Sequence, residues 1–478
     1  MSENIKKVII VCPRREEGFY SQFDVKDPMT PEGPIIIATI IEQTLECDVS
    51  VIDESITPLD EESYLWQEIA KTDVIGISAM TCLENRGYEI LRKAKQLNPN
   101  IICLAGGFGP SSNPEKALKS GADIVIIGEG VEIIKELILA LENSNGISII
   151  KGIAWERGGN FFHTPPRELV KDMDDIPFAK FELVVNYQEI NSRVITLTGG
   201  CPRRCKFCSA WKFYGATYRY RSPENAAAYV EHAIRGHRET WWNKEVTVFL
   251  ADDNIAGNPE WTKNFLDCLD KVDLKRVSIS VEMRAEVCRN TELMEKMKGK
   301  IGCIFFGFED ITEEGLLSVD KKQSPEDIVF AIKECHRLGI KVAGMFIFGL
   351  DPHTENSGIE MARFALKYLV DFFILFIRCP LVGIDDTVEL LKSSRILKNI
   401  PTEYSDCLFT VFEPLNMTPK ELQRAHLKAI KHFYSIRQAI RDRVSGRIDN
   451  MGMLYRLIGA YYVRKVTPIV QNFIKRYL

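Results

Sequence analysis

The chain predicts an α/β protein built as two parallel-sheet units followed by a helical tail. Three observations predict it. Apolar runs of strand length alternate with helix-length runs over residues 1–150, and the alternation resumes over 191–405. That pattern belongs to parallel sheets covered by helices on both faces. Between the two series, residues 151–190 lose the alternation. They hold a hairpin-like "ERGGN", a Pro-Pro pair and an acidic run, and read as a connector. Residues 406–478 read as helical.

At 478 residues the length suits several domains, and the charged and apolar fractions are those of an ordinary globular protein. A net charge of -5 leaves no electrostatic footprint for nucleic acid. The opening "MSENIKKVIIVCP" starts a strand at once and does not read as a signal peptide. No window has the apolar length of a spanning helix. Thirteen thinly spread cysteines suit a reducing compartment better than a disulfide framework.

In the first series "KKVIIVCP" is a buried strand ending at Pro13 and "GPIIIATIIEQTL" a helix. "DVSVIDESI" and "DVIGISAM" are strands, "ENRGYEILRKAKQL" a helix and "NIICLAGGFGP" a strand running into glycines. "ADIVIIGEGVEIIKELILAL" gives a strand, a Gly-Glu-Gly turn and a helix. The expectation is a doubly wound parallel sheet. Its strand ends "ISAMT", "LAGGFG" and "IIGEG" line the carboxyl edge, where open α/β sheets bind ligands. Gly106, Gly107 and Gly109 allow close backbone approach, or serve only as turn glycines.

The second series opens with "RVITLTGG" and continues through "EVTVFLADDN", "RVSISVE", "GCIFFGFED", "KVAGMFIFGLD" and "DFFILFIRCP", with helices between them. Six units are too few for a closed eight-fold barrel. They fit a partial, open (β/α)6 barrel whose active site faces the carboxyl ends of its strands.

Directly after the first of these strands stands "CPRRCKFC". Cys201, Cys205 and Cys208 offer three soft anionic ligands, which suit iron–sulfur or zinc. A four-iron cubane held by three thiolates leaves one iron open to a small molecule. Arg203, Arg204 and Lys206 would offset its negative charge. A structural zinc needs a fourth ligand, and the seven histidines supply none at finger spacing. Three structural cysteines brought together by chance is the remaining reading. Tyr214, Tyr218 and Tyr220 follow the loop, as site residues or as a solvated surface. Cys303, Cys335 and Cys379 read as core cysteines, with Cys379 at the end of the last strand.

The final stretch, "NMGMLYRLIGAYYVRKVTPIVQNFIKRYL", has five basic residues and no acid, and Pro468 interrupts it as a smooth helix. Such a segment either lies on an anionic membrane or packs on the barrel.

"CPRRCKFC", with the aromatic Phe207 before its third cysteine, resembles the signature of the radical S-adenosylmethionine (SAM) superfamily over roughly residues 190–405. The resemblance implies that Cys201, Cys205 and Cys208 hold a [4Fe-4S] cluster whose open iron takes SAM, and that an external flavodoxin- or ferredoxin-type protein donates the electron. "FLADDN" (Ala251, Asp252, Asp253) resembles the motif that contacts the methionine amine, with an exposed helix cap as the other reading of Asp253. "FGFED" places Glu309 toward ribose hydroxyls, and "MFIFGLD" (Phe348, Gly349) resembles the backbone frame for adenine. Glu282 and Arg284 of "SVEMRAE" serve carboxylate recognition or form a surface ion pair.

The whole order of domains is similar to the cobalamin-binding-domain radical SAM enzymes, a group that includes hopanoid methylases, the anaerobic Mg-protoporphyrin cyclase and bacteriochlorophyll methylases. "GISAMT", "AGGFGPSSNPEKAL", "GADIVIIGEG", "ADDNIAGNPEW", "PLVGIDDT" and "VFEPLNMTPKEL" carry that likeness. The chain departs from one pattern: it lacks Asp-x-His-x-x-Gly, its first histidine is His163, and it has "GGFG" where relatives often show "GG-x-H". Either cobalamin sits near Ser78, Thr81, Gly106, Gly107, Ser111 and Glu129 without a histidine ligand, or the domain is a relic. The implied activity is cobalamin-dependent methylation of an unactivated carbon on an apolar metabolite, a polycyclic lipid or a tetrapyrrole. The alternatives are a radical cyclisation, rearrangement or coupling without methyl transfer, and a non-catalytic cobalamin or iron–sulfur sensor. The implied setting is cytoplasmic, with peripheral membrane contact through the C-terminal segment.

Overall fold

The structure is a computed structural model that describes residues 4–14, 29–190, 192–235 and 246–478. Contacts divide it into two units. One comprises the described residues up to Gly200 together with Lys212–Phe249, and the other comprises Cys201–Trp211 and Leu250–Leu478.

The first unit contains a seven-stranded sheet. Its strands are β1 (Lys7–Cys12), β2 (Asp48–Asp53), β3 (Val74–Ser78), β4 (Ile102–Gly106), β5 (Ile124–Ile126), β6 (Ile153–Arg157) and β7 (Asn160–His163), in the order β2-β1-β3-β4-β5-β6-β7. β1 to β5 are parallel. The 2-1-3-4-5 order reverses direction between β1 and β3, which opens a crevice at the carboxyl ends. Val8, Val11, Val74, Ile75, Cys103 and Val125 are fully buried, as double-sided cover requires. The segment expected to be a connector departs from that reading. Its "ERGGN" makes a real hairpin, and β6 pairs antiparallel with β5, so the sheet continues through residue 163. Trp155 and Phe162 stack across that hairpin, and this pairing gives the segment its reason to order.

Further strands are β8 (Ser192–Ile195), β9 (Thr198–Gly199), β10 (Arg219–Tyr220), β11 (Val246–Leu250), β12 (Val277–Met283), β13 (Ile301–Glu309), β14 (Lys341–Phe348) and β15 (Phe372–Ile377). β8 and β11 to β15 form a six-stranded sheet in reverse chain order, which is the expected half-barrel. β12 to β15 are parallel throughout. The helices of this series start from one local device. Ser222, Asn258, Ser324 and Thr418 each precede a proline, and each side chain accepts the backbone N–H three residues on. The cap satisfies an orphan donor, and proline presets the first helical residue. Ser324 and Thr418 complete full capping boxes with Asp327 and Glu421.

The tail contains helices Pro419–Phe433, Ile436–Val444 and Asn450–Tyr477. Contrary to the sequence expectation, Pro468 lies inside the last helix rather than ending it. Proline there removes its own N–H bond, and its ring crowds the carbonyl four residues back. Packing compensates for that loss: Val466, Val470, Phe473 and Ile474 are buried against Tyr404, Leu408, Phe409 and Val411. The helix therefore packs on its own unit along this stripe. Among the described residues, no helix is long and apolar enough to cross a membrane.

Candidate functional site

The cysteine loop is anchored at its base by Gly200. This glycine has φ +80°, and a Cβ there would stand 2.7 Å from the Gly215 carbonyl and 2.8 Å from that of Tyr214. The Thr217 carbonyl stands closer still, and only glycine fits so near to three backbone oxygens in that conformation. β9 and β10 pair antiparallel on either side of the loop, with Gly199 opposite Arg219. Within the second unit the loop is held by its own backbone. The Lys206 N–H donates to the Val319 carbonyl at 3.3 Å, and the Asp386 N–H donates to the Lys206 carbonyl at 3.3 Å. Phe207 packs on Val319, Ile347 and Leu350, a hydrophobic anchor for the loop.

Cys201 and Cys205 are buried and Cys208 is half-buried. The three thiols are electrostatic neighbours. Burial pushes Cys208 up to about 12, with Asp253, Cys205 and Cys201 adding to the rise and a backbone hydrogen bond with Ala210 opposing it. Burial also raises Cys205, but Lys321 and Arg284 pull it down. Arg284 Nη1 lies 4.0 Å from Cys205 Sγ. Metal-free, Cys205 and Cys208 stay protonated at neutral pH, and a bound metal would deprotonate them.

The charge compensation is not where the sequence suggested. Arg203 turns toward Glu286 at 3.9 Å, Arg204 lies over the Trp211 ring, and Lys206 reaches Glu389 at 3.3 Å. The cations beside Cys205 are instead Arg284 and Lys321, both buried. Arg284 is fixed by Glu286 at 2.5 Å and by the Lys322 carbonyl at 2.9 Å. The surface ion pair considered for Glu282 and Arg284 is therefore overturned. Arg284 is buried and its salt bridge goes to Glu286.

Lys321 was missed in the sequence. Its ammonium lies 2.9 Å from Glu309 Oε1, and both side chains are buried. A β-bulge between Gly307 and Glu309 re-aims the strand end, and Glu309 adopts φ +61°. A Cβ on Gly307 would come within 2.8 Å of Lys321 Nζ, so this glycine makes room for the pair.

A crowd of carboxylates faces these cations. Burial pushes Glu282 up to about 7, and Asp253, Asp252 and Glu309 add to the rise against Lys321. Burial alone raises Asp253 to about 6. Asp253 nevertheless reaches solvent. It does not cap the helix Pro259–Leu269, since Asn258 does. Ala251 is half-buried and Asp252 buried. Crowded carboxylates with raised pKa values favour a cationic ligand, which relieves their repulsion.

Phe348 is a core side chain, and its carbonyl accepts the Arg378 N–H at 2.8 Å. Gly349 has φ +94°, and its N–H donates to His353 Nδ1 at 3.2 Å. His353 Nε2 in turn faces Asp310, also buried. The free thiols of Cys335 and Cys288 share a hydrogen bond, as do those of Cys379 and Cys407, all within the core or its margin.

At the first sheet, Ser78 ends β3 and Thr81 follows it, buried. Among the described residues no group hydrogen-bonds the Thr81 hydroxyl. A buried unpaired hydroxyl beside a strand-end crevice fits a polar ligand. Gly106 ends β4, and its carbonyl accepts the Ala79 N–H. Gly107, at φ +88°, passes so close to Ala79 that a Cβ would stand 2.8 Å from its backbone. Two of the expected ligand contacts are instead taken up within the protein. Ser111 Oγ donates to the Ile126 carbonyl and accepts the Gly128 N–H, both at 3.1 Å. Glu129 is gripped by Arg219, with Nη1 3.1 and 3.0 Å from its two oxygens, and accepts the Val170 N–H at 2.9 Å. Phe213 packs on Phe108 at 5.6 Å, so the segment carrying Arg219 lies along this edge. Tyr214 is exposed, and Tyr218 and Tyr220 pack on each other.

With this geometry in hand, comparison with known proteins is informative. The radical SAM superfamily model matches residues 195–365, and the B12 binding domain model matches residues 24–138. An uncharacterized methyltransferase of Pyrococcus horikoshii is 25% identical over 90% of this chain and 93% of its own length. The bacteriochlorophyllide d C-12(1)-methyltransferase of Chlorobaculum tepidum is 24% identical over 97% and 94%. The radical SAM methyltransferase TsrM of Kitasatospora setae, solved with cobalamin and a [4Fe-4S] cluster, covers 97% of this chain and 99% of its own, with TM-score 0.70 at 15% identity. That likeness shows a shared fold. The radical SAM domain takes a [4Fe-4S] cluster and SAM, and the B12 binding domain takes cobalamin. The cysteine trio with its two buried cations, and the Thr81 hydroxyl left unpaired among the described residues, fit these groups. The chain is an enzyme of the radical SAM superfamily, in the group that carries a B12 binding domain.

Proposed function

We propose that this enzyme methylates an unactivated carbon of an apolar metabolite, a polycyclic lipid or a tetrapyrrole. The observation that carries the reading is the cysteine loop set between buried cations and crowded carboxylates, in a chain that also has a B12 binding domain. The methyltransferase names of its full-length relatives support it. When bound, the cluster supplies the electron that splits SAM, and cobalamin supplies the methyl group.

The chain's own residues bind and orient. Cys201, Cys205 and Cys208 hold the cluster, and Arg284 and Lys321 stabilise the thiolate form of Cys205. Asp253 and Glu282, with Ala251 and Asp252 beside them, receive the cationic end of SAM, because a cation relieves their crowding. Arg284 faces its carboxylate, and Glu309 stands toward the ribose while held by Lys321. Phe207, Phe348 and Gly349 shape the pocket through packing and backbone, since their groups are engaged within the protein. Ser78, Thr81, Gly106 and Gly107 line the cobalamin crevice. An external flavodoxin- or ferredoxin-type protein donates the electron, and the enzyme works at the cytoplasmic face of a membrane.

Incubation with methyl-labelled SAM, a strong reductant and lipid or tetrapyrrole extracts tests the reading. Label should appear in an extracted product together with 5′-deoxyadenosine. 5′-Deoxyadenosine without label in any product would assign a cyclase or coupling reaction instead, and no SAM turnover would assign a sensor.

A further inference from the structure

The C-terminal helices expose apolar side chains in two regular stripes. Ile436, Ile440 and Val444 recur every four residues on helix Ile436–Val444. Met451, Leu454, Ile458 and Tyr461 recur at three- and four-residue steps on helix Asn450–Tyr477. All seven are between 42% and 83% exposed. These spacings place each set on one helix face. The two helices pack against each other and are joined by a short turn. The exposed stripe is not the face that holds the last helix to its unit, which is Val466, Val470, Phe473 and Ile474.

The charges around the stripes have one sign. Residues 419–478 contain thirteen Lys and Arg against three Asp and Glu, in a chain of net charge -5. All three acids are engaged locally. Glu421 completes a capping box with Thr418, Asp449 accepts the Gly452 N–H at 2.7 Å, and Asp442 is buried against Arg447 and Gln438. Arg437, Arg441, Arg464 and Lys465 are exposed beside the stripes. At the other end of the last helix, Lys420, Arg424, Lys428, Lys431 and Lys475 line a groove of about 540 Å³.

We infer that this helix pair is the surface by which the enzyme lies on an anionic lipid bilayer, with the stripes entering the headgroup layer and the arginines meeting lipid phosphates. Charge complementarity selects this occupant. A second copy of the chain would set arginines against arginines across an apolar contact, whereas anionic lipid neutralises them. Among the described residues no helix is apolar enough to span, so the pair lies on the surface. The inference rests on the proposed apolar substrate only for its purpose, because lipid binding needs neither cofactor nor substrate.

Flotation of the full chain with vesicles tests it. The protein should float with phosphatidylcholine vesicles containing phosphatidylglycerol and stay behind with pure phosphatidylcholine, and raising salt from about 0.1 to about 0.5 M should release it. The triple variant Ile436→Ser, Ile440→Ser, Val444→Ser should weaken flotation by about tenfold or more while keeping the wild-type melting temperature, since all three side chains already face solvent. Arg437→Glu with Arg441→Glu should do the same. Wild-type protein that ignores anionic vesicles, or one that sediments as a dimer which the triple variant dissolves, overturns the inference. Flotation with no methylated product leaves the lipid surface standing and removes only the proposed reaction.

Discussion

Cys205→Ala protein, purified and reconstituted without oxygen, should lose its cluster. Iron should fall from about four per chain to a small residue. SAM cleavage should fall by more than about a hundredfold, because even partners outside the ligand set commonly cost about 10- to 100-fold. The substitution removes little else. The Cys205 carbonyl accepts the Cys208 N–H at 3.2 Å and the Trp211 indole N–H at 3.4 Å, and alanine retains that carbonyl. The loop also stays pinned through Lys206 and Phe207. Folding, read by circular dichroism and melting temperature, should therefore change little while iron is lost. Full iron content in the variant would show that Cys205 is not a ligand.

Lys321→Met should destabilise the protein by about 3–5 kcal/mol, because it leaves a buried carboxylate without its partner. Glu309 and Lys321 are both buried and 2.9 Å apart, on a strand end already bent by a bulge. The same ammonium moderates Glu282 and Cys205, so its loss also makes the site more anionic. Adding Glu309→Gln should recover most of the stability, since a neutral amide tolerates burial better than an unpaired charge. Urea unfolding checks both variants. A loss below about 1 kcal/mol, or a double variant no more stable than the single, would show that the pair is not coupled as its geometry indicates.

The cluster loop, the two sheets and the strand ends were legible because their signals are local. Three cysteines within eight residues, apolar runs bounded by glycine, and Ser-Pro or Asn-Pro steps before helices all act within a few residues. What escaped the sequence depends on distant partners. Arg203, Arg204 and Lys206 are near the cysteines along the chain, yet they turn outward. Arg284 and Lys321, far along the chain, bring the charge inward. Glu129 looked like a ligand contact at a strand end until Arg219, ninety residues on, closed around it. Ser111 is similarly occupied by β5 and the turn after it. Proline was read by its local effect on a helix, whereas burial of the surrounding valines and Phe473 decides the case. Thr81 shows the opposite situation: the sequence placed it at the edge, and its unpaired hydroxyl became visible only when its neighbours were in place.

Paramagnetic resonance on the reduced, reconstituted wild-type protein tests most directly that three thiolates leave one iron accessible to SAM. The spectrum of a reduced [4Fe-4S] cluster should shift when SAM is added, as its amine and carboxylate take up the open iron. A cluster whose signal is unmoved by saturating SAM, or a single metal ion with all positions filled by side chains, would contradict it.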